Sequence, residues 1–587
     1  MKRLTDNRGF WLLVIICCVT LIPFLGLADF HTKGEPREAV VAYSMLESGD
    51  WILPRNNGGE IPYKPPFFHW SVAACSAVTG GVVDEFTSRL PSALALMVMT
   101  LAGYLFYTRR KGMQTGLLTA FVTLTAFELH RAGANCRVDM VLTALTVCAL
   151  YLFYRYYERG LRGVPWLAIL LMSCATLTKG PVGSLIPCLA FGVFLLLRGV
   201  NFFKAFGLLA AWGLASFILP LCWYYAAWLH GGQEFLDLVM EENFGRMTNT
   251  MSYDSCVNPW YYNLITLVGG YVPWILLVIL SLFSLPKIRK GLNRMTNKPG
   301  GDPARASVLS RCLTKMREAD AVDIFSAVCI FVIFLFYCFP QSKRSVYLMP
   351  IYPFIAYFLA RYMIYLVKVK SKSIKIYGTV LAVVSLLVTA TLVLIKADVI
   401  PTTIFHGRHA AQNIAMMESI GAVAGWSWIL VAIPVILALA WLWYLNRHPQ
   451  YNVSYLYGLC ALTFGLYLAL DGAYQPQVLN VKSQCPVAAE IDAIAPQTSG
   501  TLYEFIEEGE MAAGDPVHFF ELDFYLGDRI ENFRKSNPDS GYLIITDLDA
   551  EKWLPKFEAE GYRFTHLYDS SRPVLKRTAR LYSFIRP

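Results

Sequence analysis

The sequence predicts a polytopic α-helical membrane protein of about thirteen transmembrane helices, closed by a small external α/β domain at its C-terminus. Three observations predict it. Of 587 residues, 56% are hydrophobic and only 16% charged, with a mean hydropathy of +0.44, where soluble proteins carry roughly 45–50% apolar and about 25% charged residues. A chain of this length cannot hide that excess in its interior, so lipid must be part of its solvent. The apolar residues also come in repeated runs near the ~20 residues that cross a bilayer. Finally, residues 481–587 hold 12 Lys and Arg against 18 Asp and Glu, a net of −6, which leaves +15 on the remainder of a chain whose formal charge is +9.

In chain order the runs fall at 9–29, 89–108, 113–130, 137–156, 164–179, 182–199, 205–229, 262–285, 322–340, 345–365, 374–396, 424–446 and 453–472. The first follows Lys2, Arg3 and Arg8 like a secretory signal, but no small-residue cleavage site follows it, so it reads as an uncleaved helix. Basic residues set the orientation. With the N-terminus cytoplasmic, the inside loops carry Arg109, Arg110 and Lys111, then Arg155, Arg159 and Arg162, then Arg198 and Lys204, and later Lys368, Lys370, Lys372 and Lys375. The cytoplasmic loop 286–321 is basic as well. No aromatic platform or folded basic domain accompanies this charge, which argues against nucleic acid as a partner.

An odd number of spans puts the tail outside. Residues 1–472 then form the membrane part, with external loops at 30–88 and 230–261, and residues 473–587 form the external domain. Within that domain the runs 517–520 and 542–545 read as short strands, and 485–494 and 551–560 as helices. The 14 cysteines mostly sit inside apolar spans without paired spacing, so they read as small core residues.

The same topology places Lys33, Glu35, Arg37, Glu38, Glu60, Tyr63, Lys64, Arg137, Asp139, Lys179, Glu242, Arg246, Lys343 and Arg344 outside together. Charged side chains at the ends of spans are costly unless they face a bundle interior or an aqueous cavity. One shared external cavity accounts for them. A helix is expected from Pro36 to Ser48, since proline suits the first turn. Glu35 there either caps that helix or serves as a catalytic carboxylate, and Arg37 and Glu38 follow it. The stretch 63–70, with four aromatics and two prolines, is too short to span and suits the interface. Its Lys64 pairs either with lipid phosphate or with one substrate phosphate. Asp139 opens a span, where the helix dipole alone favours an acid; the alternative is a base or charge stabiliser over the cavity. Lys179, at a turn with almost no loop, either snorkels or joins Lys343, Arg344, Arg246 and Lys64 in a basic external surface suited to phosphate or pyrophosphate. Aromatics such as Tyr262 either anchor the interface or hold a sugar or isoprenoid tail.

The motifs Glu35-Pro36-Arg37, Gly49-Asp50-Trp51 with Pro54, Tyr63-Lys64-Pro65-Pro66, Leu177-Thr178-Lys179-Gly180-Pro181, Asn243-Phe244-Gly245-Arg246, Pro259-Trp260-Tyr261-Tyr262, Ser342-Lys343-Arg344 and Tyr352-Pro353 as a set resemble the GT-C glycosyltransferases that use polyprenyl-phosphate sugars. This is the protein O-mannosyltransferase superfamily, and the resemblance is strongest to its bacterial aminoarabinose transferases. It implies an inner-membrane enzyme with a periplasmic C-terminal domain, a donor of sugar on undecaprenyl phosphate, and lipid A phosphate or a related envelope molecule as acceptor. It implies carboxylates that orient the acceptor, with Glu35 and Asp139 ranked first, and lysines and arginines that hold the leaving phosphate. Two positions depart from the pattern. Gly34 stands where the family commonly has an Asp treated as catalytic, and Tyr63 stands where it often has Glu. A described metal position in the family uses that Glu and a later His; residues 253–258 here contain no His, so no metal is inherited and a divalent ion stays open. A transporter or flippase for a phosphorylated polyprenyl lipid is the competing class, because it too needs a basic cavity. Inverted repeats would favour it, and none is visible.

Overall fold

A computed structural model describes residues 8–62, 64–242, 257–284, 317–340, 342–407, 409–448, 452–507 and 518–587. Among them, seven helices are long and apolar enough to cross a membrane, and a bent pair makes an eighth. Shorter apolar helices occupy the other expected spans: Arg8–Phe24, Met113–Leu124, Trp166–Lys179, Val182–Leu197 and Ala321–Phe336. Local signals set several ends. Helix Glu85–Lys111 starts on an Asp84–Thr87 capping box and carries Arg109, Arg110 and Lys111 in its last turn, where cations complement the dipole. Helix Pro36–Ser48 begins on its proline and stops at Gly49, φ +72°, as expected of a left-handed cap.

Two expected spans are not single helices. The 262–285 run divides into Tyr262–Gly270 and a second helix from Trp274, bent by 100°. Packing dictates the break: a Cβ on Gly270 would lie 1.9 Å from the Tyr352 hydroxyl, and Pro273 cannot donate to a continuing ladder. The 113–130 run divides into Met113–Leu124 and Phe127–Gly133, with Phe127 N–H donating to the Val272 carbonyl (3.0 Å) at the other break.

Partners sort the helix ends into two sets. At one end Arg110 pairs with Glu158, Lys111 with Asp320 and Asp323, and Arg361 with Asp323, while Arg198 donates to the carbonyls of Arg317 and Ala319. At the other end the first helices meet the C-terminal unit. That unit holds a five-stranded sheet of order β2-β1-β3-β5-β4, built from β1 (Leu502–Phe505), β2 (Ile530–Asn532), β3 (Ser540–Thr546), β4 (Arg563–Asp569) and β5 (Ala579–Ile585). β1 runs parallel to β2 and β3, and β5 antiparallel to β3 and β4. Helices Cys485–Ile494 and Asp547–Ala559 match the expected ones. The expected strand at 517–520 does not form: Phe519 N–H donates to Glu504 (3.0 Å), helix Phe520–Tyr525 starts there, and Val517 is outside the described residues.

The sheet unit grips the 30–88 loop. Asp528 accepts from the Ser44 hydroxyl (2.5 Å) and from Asn57 N–H (2.7 Å), Tyr525 donates to Glu85 (2.6 Å), and Phe524 packs edge-on against Phe30. Glu60 receives His518 (3.0 Å) and Lys535 (2.6 Å). These contacts hold helix Pro36–Ser48 in place, and that helix carries Glu38.

Candidate active site

Glu38 lies in the first turn of helix Pro36–Ser48 with its side chain 5% exposed. One carboxylate oxygen accepts from Arg37 (2.9 Å) and from the Lys64 ammonium. The other meets His69 Nε2 at 3.0 Å. Lys64 and His69 arrive together because the Lys64-Pro65-Pro66 segment leads directly into helix Phe67–Val78, so one short stretch supplies both partners. Burial alone would raise the Glu38 carboxyl, yet Lys64, Arg37 and His69 hold it well below the ordinary carboxylate range. Burial pulls Lys64 down to about 8, against the attraction of Glu38 and helped by the like charge of Arg37.

A second pair stands beside the first. Asp139, in the first turn of helix Val138–Glu158, pairs with Lys179 at the end of helix Trp166–Lys179. Lys64 and Asp139 feel each other's charge, and Arg137 acts on Asp139 as well. The Lys179 ammonium also lies 4.3 Å above the Tyr347 ring, a cation–π arrangement. The turn at Gly180 that carries it is obligatory: its φ is +79°, a region open to glycine. Two carboxylate–ammonium pairs, drawn from the 30–88 loop and from three helix ends, therefore form one charged cluster.

Other expected site residues sit elsewhere. Glu35 is fully buried: its two oxygens accept from Arg89 Nε (2.9 Å) and Nη2 (3.3 Å), and one also accepts from Cys136 N–H (3.0 Å). The Arg89 fork, which also donates to the carbonyls of Leu25, Ala28 and Asp29, holds that carboxyl below its ordinary value against the opposing effect of burial. This is a fastening between the first span, helix Glu85–Lys111 and residue 136, not an open carboxylate. Lys343 is 6% exposed, and it is clasped to Asn258: its ammonium donates to the Asn258 carbonyl (3.1 Å) and its own carbonyl accepts from Asn258 Nδ2 (3.0 Å). Arg344 is exposed and Tyr262 half-buried at a helix start. Tyr63 and Arg246 are outside the described residues, as is the whole of 243–256.

His69 and Arg89 were not singled out from the sequence. Arg89 had a readable signal, since a charge inside an apolar run demands a partner; His69 had none beyond its distance from Lys64. Among the described residues no group of three His, Cys, Asp or Glu side chains is placed to hold a metal ion, so the donor set gives no step through one.

Residues 63–224, which include Lys64, His69, Arg89, Asp139 and Lys179, match the family described as dolichyl-phosphate-mannose-protein mannosyltransferase. Along 571 residues the chain is 23% identical to the undecaprenyl phosphate-alpha-4-amino-4-deoxy-L-arabinose arabinosyl transferase of Edwardsiella ictaluri, covering 96% of this chain and 93% of that one. An uncharacterized protein of Aquifex aeolicus is 27% identical over 380 residues, 64% of this chain and 68% of that one. The crystal structure of ArnT from Cupriavidus metallidurans bound to undecaprenyl phosphate superposes with a TM-score of 0.68 at 17% identity, covering 98% of both chains. The fold is GT-C, with a small C-terminal sheet domain, in a multi-pass membrane protein.

Proposed function

We propose that this chain, an aminoarabinose-transferase-like and polyprenyl-phosphate-dependent glycosyltransferase, moves a sugar, with aminoarabinose as the first candidate, from undecaprenyl phosphate to a phosphate of lipid A or a related envelope acceptor. The reaction takes place at the periplasmic face, with the N-terminus cytoplasmic and the sheet domain outside. The observation that carries this reading is the pairing of Glu38 with Lys64 beside Asp139 with Lys179.

In the transfer, the bond between the anomeric carbon and the carrier phosphate breaks, an acceptor oxygen bonds to that carbon, and undecaprenyl phosphate leaves with the electron pair. Negative charge grows on the leaving phosphate and positive charge on the sugar carbon. Lys64 and Lys179 supply ammonium groups for the former, and Glu38 and Asp139 carboxylates for the latter. Fixed charges aimed at developing charge are the largest single source of enzymatic stabilisation in many enzymes. A phosphate acceptor is already an anion, so little proton removal is asked of the carboxylates; a hydroxyl acceptor would require one of them as general base. Arg344, which is exposed, binds the acceptor or the membrane around it, while Lys343 fastens Asn258. Arg37 sets the position of Glu38.

The test is incubation of the purified full-length protein in lipid vesicles with labelled undecaprenyl-phosphate sugars and lipid A, followed by mass spectrometry of both lipids. The reading expects sugar mass on the acceptor and its loss from the donor. Lipid movement across the vesicle without covalent transfer would replace it with a flippase.

A further inference from the structure

Glu38 has three partners, and they are not equivalent. Arg37 and Lys64 share one carboxylate oxygen, whereas His69 Nε2 meets the other at 3.0 Å. The Arg37 and Lys64 side chains are long and reach solvent, 24% and 16% exposed, while that of His69 is 2% exposed. His69 is also rigidly mounted. It lies in the first turn of helix Phe67–Val78, whose Phe68, Val72 and Ala73 share one apolar core with Ala39, Val40 and Met45 of the helix that carries Glu38. An enclosed imidazole loses less side-chain freedom in holding a partner than a lysine or an arginine does.

The second ring nitrogen shows that packing alone does not ask for a histidine here. Nδ1 is buried with no hydrogen-bond partner among the described residues. The ring therefore carries its proton on Nε2 and donates it to Glu38, because a second proton on Nδ1 would meet no acceptor. A buried polar atom without a partner costs stability, and an apolar side chain in this position would avoid that cost. The demand comes from the Glu38 carboxylate.

We propose that His69 is a positioning residue that keeps Glu38 in place while Lys64 turns from this carboxylate to the phosphate of the polyprenyl carrier. With Lys64 withdrawn, Arg37 on one oxygen and His69 on the other still fix the plane of the carboxylate and stabilise its charge. Without His69, only the flexible Arg37 contact would remain, so Glu38 would depend more on Lys64 and release it less readily. The inference deepens the transferase reading and rests on it for the identity of the phosphate.

The test compares wild type with H69L, which fills the enclosed space without a donor, and with H69Q, whose amide nitrogen can take the place of Nε2. Undecaprenyl phosphate binding isotherms are recorded on the full-length protein across neutral and alkaline pH. Sugar transfer from labelled undecaprenyl-phosphate sugar to lipid A and thermal unfolding are measured on the same preparations. The charged groups acting on Lys64 are Glu38, Arg37 and Asp139; of these, H69L alters the hydrogen bonding of Glu38. A carboxylate that loses a donor holds its remaining cation more tightly. At pH 7, H69L should therefore bind undecaprenyl phosphate about fivefold more weakly, the worth of one buried hydrogen bond. Its alkaline decline in binding should nevertheless begin at a higher pH than in wild type, which a general loosening of the fold would not produce. The kcat for transfer should fall by about 30-fold, since an ångström of misplacement can cost about 100-fold. H69Q should restore most of both. The thermal midpoint of H69L should stay within about 3 °C of wild type, because the orphaned nitrogen is removed along with the hydrogen bond. The proposal is overturned if H69L binds and transfers within about twofold of wild type, if H69Q is impaired as much as H69L, if the alkaline limit stays or moves lower, or if the loss of transfer follows a loss of folded protein. If the binding pattern appears and wild-type protein moves no sugar, the positioning role stands and the transferase reading falls.

Discussion

Replacing Glu38 with Gln tests the central charge balance, because it keeps the shape of the side chain and removes one unit of charge from a group of four. Arg37, Lys64 and His69 all lie on that carboxylate, and the Lys64 and Glu38 side chains are 16% and 5% exposed. Breaking a buried pair by removing one partner costs about 3–5 kcal/mol, and solvent reaching Lys64 places this case near the lower end, about 3 kcal/mol. The cost must depend on pH. Lys64 is already down at about 8 through burial, and without Glu38 it falls further, since its main attraction is gone. Below the variant's lysine value, the wild type has the full pair and the variant has a strained ammonium beside Arg37, so the whole difference appears. As pH rises through about 8, the wild-type lysine loses its proton, and the pair contributes less and less. Thermal unfolding of both proteins in detergent at pH 6 and pH 9.5 reads this directly: a large gap at pH 6 and a much smaller one at pH 9.5. In parallel, undecaprenyl phosphate affinity of the wild type should decline as pH passes about 8, and in the variant the decline should begin lower. An equal gap at both pH values would refute the assignment of the lost energy to the Lys64 charge.

Asp139→Asn leaves Lys179 without its carboxylate and should lower sugar transfer by about 100-fold or more while undecaprenyl phosphate binding persists, measured by lipid mass spectrometry and binding isotherms on the same preparation. Glu35→Gln should behave differently: with Arg89 left in a buried fork, it should cost about 3 kcal/mol of stability in thermal unfolding, while the folded fraction retains more transfer activity per molecule than the Asp139 variant. The grip of the sheet domain should be tightest between about pH 4.5 and 6.5. Glu60, held down at about 2 by His518 and Lys535 against burial, contributes fully above the ordinary carboxylate value and is lost as pH falls toward 2. His518, raised to about 10 by Glu504 and Glu60 despite burial, contributes fully below 6.5 and is lost progressively as pH rises to about 10. Hydrogen exchange of residues 36–60 should therefore speed up from pH 6.5 to 9 after correction for intrinsic rates, and His518→Gln should flatten that slope.

The membrane part was legible because lipid imposes a length and an apolarity that composition reports directly. Thirteen expected runs are each occupied by an apolar helix or a broken one. The breaks at 125–126 and 271–273 were not legible: apolar composition continues across them, and the demand for Gly270 comes from the Tyr352 hydroxyl, 82 residues later in the chain. The site was half legible for a related reason. Which charged residues collect at one end follows from span boundaries, so Glu38, Lys64, Asp139 and Lys179 could be gathered without a structure. Which of them pair does not follow, since Glu38 meets Lys64 26 residues on, Asp139 meets Lys179 40 on, and Glu35 meets Arg89 54 on. Glu35 and Glu38 look alike in sequence, three residues apart. Only the packing of Arg89 beneath the first turn makes one a fastening and leaves the other facing Lys64. In the C-terminal sheet domain, 517–520 had the composition of a strand, but the Glu504 carboxylate takes the Phe519 N–H that a sheet partner would need.

Both ammonium groups of the proposed donor site are neutralised in the free protein, and that has a consequence for turnover. An unpaired lysine in this position would bind a phosphate tightly in substrate and product alike, which lowers the barrier to binding without lowering the barrier to chemistry. Here phosphate must compete with Glu38 for Lys64 and with Asp139 for Lys179. The net gain on binding is the difference between two ion pairs, and it grows as the carbon–oxygen bond breaks and the phosphate passes from a diester with one negative charge toward a monoester with two. The carboxylates change in the opposite sense: as each ammonium turns toward the phosphate, Glu38 and Asp139 lose a partner just as positive charge develops on the sugar carbon. When the acceptor oxygen has bonded and the carrier phosphate departs, the two pairs re-form and offset part of the cost of releasing it. The same four side chains thus discriminate the transition state from the bound substrate, provided the two lysines remain charged. This ties the alkaline limit of activity to Lys64 and makes the burial that depresses it part of the catalytic arrangement.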